Sequence, residues 1–170
     1  QAIDDIPDHL LTEPTLTIIE APTGEGKTEA ALTLARRIAQ AQGTDEMYVA
    51  LPTTATSNAM YQRLQEHLRD RLSLPPELAQ LVHGQAFLLQ DDLRITPLDD
   101  LDGGSHPALT WFEPKKKSLL SPFGVGTVDQ AELAALNVKH NALRLIGLAG
   151  KVVILDEVHA YDTYMTTIIA

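Results

Sequence analysis

The sequence predicts an α/β fold, a mainly parallel sheet with helices on both faces, and three observations carry that prediction. T-L-T-I-I-E over Thr15 to Glu20 and K-V-V-I-L over Lys151 to Leu155 have the continuous apolar, β-branched character of strands buried on both faces. Such runs alternate with stretches whose apolar residues recur at helical spacing. The residues of chemical interest follow two of the apolar runs, at the carboxyl ends of strands, where open parallel sheets bind ligands.

Residues 1–14 read as a lead-in, and 15–170 as one lobe that begins with the Thr15 to Glu20 strand. A glycine loop, A-P-T-G-E-G-K-T over Ala21 to Thr28, follows at once. Ala31, Leu34, Ala35 and Ile38 then mark a helix, ended by Gly43, a residue suited to the left-handed conformation of a helix terminus. The pattern repeats with a strand over Met47 to Leu51, a turn over Pro52 to Thr56, and a helix whose face carries Met60, Leu64, Leu68 and Leu72 before Pro75 and Pro76 end it. Leu81 to Gly84 reads as a short third strand. Asp91 to Pro107, acidic and interrupted by Gly103 and Gly104, reads as a surface loop. Order returns over Lys115 to Gln130, and Ala131 to Leu136 begins another helix. Lys151 to Leu155 reads as the clearest buried strand. The chain opens on Gln1 and stops at Thr167 to Ala170, in what reads as a helix just begun, so part of a larger protein is expected.

Composition narrows the class. The chain has 170 residues, 44% of them hydrophobic, enough for one sizeable core. It has no cysteine, which excludes disulfides and thiolate metal sites and fits an intracellular, cytoplasmic setting. No stretch is apolar for long enough to cross a bilayer, and no signal peptide opens the chain, so no membrane partner is expected. Lys plus Arg number 13 against 23 Asp plus Glu, a net charge of -10, which speaks against a surface built to bind polyanions everywhere. A domain that touches a few phosphates along one groove remains compatible with that charge.

The chemistry concentrates in two motifs. Ala21, Pro22, Thr23, Gly24, Glu25, Gly26, Lys27 and Thr28 fit the phosphate-binding loop, with alanine at its first position. Gly24 and Gly26 lack side chains, so backbone amides can wrap a β-phosphate at the positive end of a helix. Lys27 supplies charge to the β- and γ-phosphates, and the Thr28 hydroxyl is placed to ligate magnesium, so ATP and Mg2+ are the expected cofactors. Asp156 and Glu157 follow the second strand. The first carboxylate can meet the magnesium, and the second can polarise an attacking water. Other clusters carry less: Trp111, Phe112 and Lys115 to Lys117 read first as an aromatic anchor beside solvated lysines, and as a base-stacking and phosphate site second. Asp91, Asp92, Asp99, Asp100 and Asp102 read as a solvated loop, and His83, His106 and His140 lack ligand spacing.

D-E-V-H over Asp156 to His159 resembles the DExH-box helicases of superfamily 2, whose motor lobes are RecA-like P-loop NTPase domains. The resemblance assigns the magnesium aspartate to Asp156, the catalytic glutamate to Glu157, and to His159 the coupling of nucleotide state to a second motor lobe. I-I-E-A-P-T-G-E-G-K-T-E-A-A-L, L-P-T-T-A-T-S-N-A-M, V-G-T-V-D-Q and L-D-E-V-H-A-Y-D together look like the CRISPR-associated helicases of type I interference systems, over roughly Leu16 to Asp162. That likeness implies ATP-driven movement along single-stranded DNA from 3′ to 5′ after recruitment by an RNA-guided surveillance complex. It also implies that Pro52, Thr53, Thr54, Thr56, Ser57, Gly126 and Thr127 lie where such helicases hold the DNA backbone, and their hydroxyls and amides suit that task. Ordinary turn and cap chemistry is the competing role for each.

The family pattern is incomplete here. No His-Asp dipeptide of the family's nuclease occurs, nor do the later helicase motifs with their arginine. The chain alone is therefore expected to bind ATP and hydrolyse it weakly or not at all. Two other classes stay open on sequence: a P-loop switch or kinase that touches no nucleic acid, and a non-catalytic interaction module. Intact Lys27, Asp156 and Glu157 argue against the last.

Overall fold

Four strands form one parallel sheet in the order β2-β3-β1-β4, with β1 at Met47–Leu51, β2 at Ala79–Val82, β3 at Phe123–Thr127 and β4 at Val152–Leu155. These come from a computed structural model that describes residues 3, 5–22, 24–82, 118–135, 141–163 and 166–167. Among the described residues four α-helices accompany the sheet: α1 (Lys27–Ala41), α2 (Thr54–Leu72), α3 (Val128–Ala135) and α4 (Asn141–Leu148). Leu51 lies opposite Thr127 and Ala50 opposite Leu155, so the carboxyl ends of β1, β3 and β4 meet along one edge.

Alternation along β1 divides the core between two faces. Met47, Val49 and Leu51 point to one side, where Leu32 and Ala35 of α1 and Met60, Leu64 and Leu68 of α2 cover them. Tyr48 and Ala50 point to the other, against Val82, Leu119, Val128 and Tyr161. All five β1 residues are buried, as a central strand requires.

The helices obey local rules. Gly43, at φ 72, follows α1, and the Gln42 amide returns to the Ile38 carbonyl at 2.9 Å. Thr53 caps α2, so that helix starts at Thr54, inside the stretch expected to be a turn. It ends on Ser73, left-handed at φ 54, before either proline, because the Leu74 amide already closes on the Leu68 carbonyl at 3.0 Å. Helix α3 starts directly after β3, three residues before the expected start. Helix α4 was not anticipated: its Gly147 sits where a Cβ would lie 2.9 Å from the Leu119 Cβ, so a residue that usually breaks helices is here the one that lets this helix pack.

Two strand expectations need correction. Thr15 to Glu20 has no strand pairing, and Leu16 and Ile18 are 87% and 74% exposed. A strand exists only as one member of a ladder, and this run has no neighbour among the described residues. β4 is an edge strand paired with β1, and its Val153 is half exposed, so it is not buried on both faces. The third strand is Ala79–Val82, slightly earlier than expected; His83 and Gly84 lie outside the described residues.

Ile3 and residues 5–13 are tied to α1. The Arg37 guanidinium donates to the carbonyls of Ile3 and Ile6 and pairs with Asp8, and Gln42 donates to the Leu11 and Glu13 carbonyls at 3.2 Å each. No described helix is long and apolar enough to cross a membrane. The acidic stretch, Trp111, Phe112, Lys115 to Lys117, His106 and His140 lie outside the described residues.

Candidate nucleotide and nucleic-acid site

The glycine loop turns on its two glycines, Gly24 at φ 88 and Gly26 at φ 75, conformations that L side chains rarely adopt. Gly26 is also the residue before α1, so Lys27 and Thr28 open the helix and the amides of its first turn face the loop. Lys27 Nζ donates to the Ala21 carbonyl at 2.5 Å and the Pro22 carbonyl at 3.0 Å, which holds the ammonium over its own loop. The Glu25 amide closes the turn on the Pro22 carbonyl at 3.4 Å. Thr23 lies outside the described residues. Glu29, next in the helix, is held below the usual carboxylate range by backbone hydrogen bonding and by Arg63 of α2, with which it pairs.

The second motif meets the first at one hydrogen bond. Thr28 Oγ1 donates to Asp156 Oδ2 at 3.2 Å, and the other carboxylate oxygen, Oδ1, accepts the Glu157 amide at 2.8 Å. Asp156 itself continues the ladder, its amide bonded to the Ala50 carbonyl at 3.0 Å. Glu157 then turns left-handed at φ 54, a conformation uncommon for a side-chain-bearing residue and concentrated at functional sites. Its carboxylate is exposed, and so is His159 in the short 3-10 turn Val158–Ala160. Thr28 hydroxyl and Asp156 carboxylate are hard oxygen donors held side by side, a set suited to magnesium, which takes one or two protein ligands and completes its octahedron with phosphate oxygens and water.

At the same edge stand the two hydroxyl-bearing loops. Thr53 and Thr56 form a reciprocal cap: Thr53 Oγ1 accepts the Thr56 amide at 3.1 Å, and Thr56 Oγ1 accepts the Thr53 amide at 3.3 Å. Pro52 and Thr54 are half-buried beside them. Ser57 is fully buried, and its hydroxyl donates to the Thr53 carbonyl at 2.8 Å, so its side chain serves the cap from inside. Gly126 has no room for a side chain: a Cβ there would lie 2.1 Å from the Val82 carbonyl oxygen and 2.5 Å from the Tyr48 hydroxyl. Thr127 is 9% exposed, and its carbonyl accepts the Tyr48 hydroxyl at 3.2 Å.

Three side chains that the motifs did not single out shape this edge. Tyr48 and Tyr161 lie beneath it, and burial raises both phenols above their usual range. Glu132 of α3 is 5% exposed, its Oε1 has no hydrogen-bond partner among the described residues, and burial, then Asp129 and Asp162, push its carboxyl up. Tyr48 is visible in sequence only as a strand aromatic, and Glu132 only as a helix residue. Neither has a spacing that marks it.

Residues 1–169 match the family described as type III restriction enzyme, res subunit. A CRISPR-associated nuclease/helicase Cas3 of Streptococcus thermophilus is 41% identical over 167 residues, 91% of this chain and 18% of that protein. The CRISPR-associated endonuclease/helicase Cas3 of Thermus thermophilus is 44% identical over 158 residues, 89% of this chain and 17% of that protein. The crystal structure of T. fusca Cas3 with ATP superposes with a TM-score of 0.78 at 41% identity, covering 99% of this chain and 18% of that one. The chain thus spans less than a fifth of the length of these relatives, and its fold is that of a RecA-like α/β lobe.

Proposed function

The chain belongs to the family of the type III restriction enzyme, res subunit, and on that premise we propose that it is the ATP-binding lobe of an ATP-dependent, single-stranded-DNA translocase and helicase acting in CRISPR interference. The observation that carries the reading is the hydrogen bond between Thr28 and Asp156, which joins the glycine loop to the carboxylate turn at the carboxyl edge of a parallel sheet. T. fusca Cas3, in its crystal structure with ATP, shares this fold over 99% of the chain.

In this reading the loop amides from Gly24 to Thr28 enclose the β-phosphate, and Lys27 exchanges the carbonyls of Ala21 and Pro22 for phosphate oxygens. Ala21, Pro22, Thr23 and Glu25 shape the loop around them. Thr28 and Asp156 would hold magnesium, which supplies neutralisation of charge on the phosphates. Glu157, exposed beside them, accepts the proton of the water that attacks the γ-phosphate. His159 reports the nucleotide state to a second motor lobe. Pro52, Thr53, Thr54 and Thr56 offer the surface for the DNA backbone, through amides, the Thr53 and Thr54 side chains and the cap geometry, while the buried Ser57, Gly126 and Thr127 act from within by fixing that surface. Such contacts carry no base sequence, which suits a motor that must step along any strand.

The second lobe, a nuclease domain and an RNA-guided surveillance complex are the remaining partners of this proposal, with movement from 3′ to 5′. An arginine reaching the γ-phosphate from a second lobe is worth roughly 10³ to 10⁵ in rate in phosphoryl transfer, so the 170-residue chain alone binds ATP and hydrolyses it poorly. The test is ATP hydrolysis by the parent two-lobe protein with and without single-stranded DNA, in wild type, Lys27→Ala and Glu157→Gln. Strong stimulation by DNA, abolished in both variants, is the expected result. Hydrolysis indifferent to DNA would replace the motor with a P-loop switch.

A further inference from the structure

The carboxylate turn is fastened to the rest of the sheet in an unusual way. The Ala50 carbonyl accepts two donors: the Asp156 amide at 3.0 Å, which is part of the ladder, and the Tyr161 hydroxyl at 3.2 Å. Both ends of the segment Asp156 to Tyr161 therefore close on one oxygen of β1. That oxygen stands three residues before Thr53, the cap of α2. Within the segment the Ala160 and Tyr161 amides return to the Glu157 and Val158 carbonyls at 2.8 and 3.1 Å, so the turn is a small closed unit.

A second tyrosine extends the connection. Tyr48 lies two residues before Ala50 on the same face of β1 and is fully buried. Its hydroxyl donates to the Thr127 carbonyl, where β3 gives way to α3. Its ring runs across β3: Cβ atoms at Gly124 and Gly126 would come 2.7 Å from the ring and 2.5 Å from the hydroxyl. Glycine at both positions is what makes the space this tyrosine occupies. Tyr48 and Tyr161 share one buried cluster with Ala50, Val82, Leu119 and Val128. Two hydroxyls on that face thus reach the carboxylate turn's anchor on β1 and the end of β3.

We propose that Tyr161 and Tyr48 are positioning residues that couple the carboxylate turn of Asp156 and Glu157 to the two backbone-holding segments, 52–57 through Ala50 and the end of β3 at Gly126 and Thr127 through the Thr127 carbonyl. The inference deepens the motor reading and rests on it. Neither tyrosine touches nucleotide or DNA; each fixes the place of a carbonyl from which a functional loop departs. When phosphate binding shifts the Asp156 turn, the shift is delivered to Ala50 and, through the shared tyrosine cluster, to Thr127. A contiguous set of packed groups is the physical means by which two sites on one domain bias each other.

The experiment uses Tyr161→Phe, Tyr48→Phe and the double variant in the full-length protein. It measures kcat and KM for ATP with and without single-stranded DNA, together with thermal melting. Phenylalanine keeps the ring and removes only the hydroxyl. Each single variant is expected to lower the ratio of DNA-stimulated to basal kcat about fivefold, with KM for ATP within about twofold of wild type. The double variant is expected to lose less than the product of the two single losses, because the two hydroxyls serve one connection. A purely structural role would reduce the folded fraction and leave the ratio unchanged. Melting identifies any variant that fails to fold, and the other single variant then decides. A wild-type ratio in the folded variants overturns the coupling and leaves the motor reading intact. A wild type that ignores DNA removes the motor reading, and the coupling with it.

Discussion

The two nucleotide motifs are built alike in sequence and held differently in space. Each is a short aliphatic run followed by a loop with charged chemistry: Thr15 to Glu20 before the glycine loop, Lys151 to Leu155 before Asp156. The second run is β4, laddered to β1, and its Asp156 amide extends that ladder. The first is unpaired among the described residues, with Leu16 and Ile18 largely exposed, and its loop is positioned from behind by α1 and across by Thr28 to Asp156. A phosphate loop needs its glycines and the helix that follows more than it needs its strand. Asp156, in contrast, takes its place from the sheet.

That contrast can be tested by substitution, starting with the sheet. Gly126→Ala puts a methyl 2.1 Å from the Val82 carbonyl oxygen, a backbone atom of the neighbouring strand that cannot turn aside. We expect a loss of at least about 3 kcal/mol by urea denaturation, because overpacking against fixed atoms is relieved only by moving strands apart. Val49→Ala, in the fully buried centre of β1, removes two methyl groups beneath α1 and α2 and is expected to cost about 2 kcal/mol in the same assay. Ile18→Ala should change the stability of this chain by less than about 0.5 kcal/mol, as expected at an exposed site. A cost at Ile18 equal to that at Val49 would erase the contrast and show that the first run is paired in solution.

Much of this arrangement is legible in sequence, and the reasons differ by element. The helix after the glycine loop follows from its periodicity, and the Met47 to Leu51 strand from a short continuous apolar run of the length a fully buried strand has. Lys27, Thr28, Asp156 and Glu157 stand out in sequence because phosphate and magnesium chemistry would demand those residue types at that spacing, and the structure brings Thr28 and Asp156 within hydrogen-bond distance. The unpaired state of Thr15 to Glu20 is not legible, since apolar content says that a run can pair and says nothing of whether a neighbour is there. Helix α4 hides behind Gly147, whose packing against Leu119 is a tertiary fact. Tyr48 and Tyr161 belong to the same class: their hydroxyls donate to carbonyls 79 and 111 residues away. The start of α2 at Thr54 was available in principle from Thr53 and Thr56, but a pair of threonines serves caps and phosphate contacts equally well.

The central claim is that Thr28 and Asp156 bring two distant motifs into one magnesium-dependent ATP site. The most direct measurement is calorimetric titration of this chain with ATP, with and without magnesium, in wild type, Lys27→Ala and Asp156→Ala. We predict that magnesium tightens ATP binding in wild type, that Lys27→Ala abolishes binding, and that Asp156→Ala still binds ATP but loses the benefit of magnesium. Equal affinity with and without magnesium in wild type, unchanged by either substitution, would contradict the account.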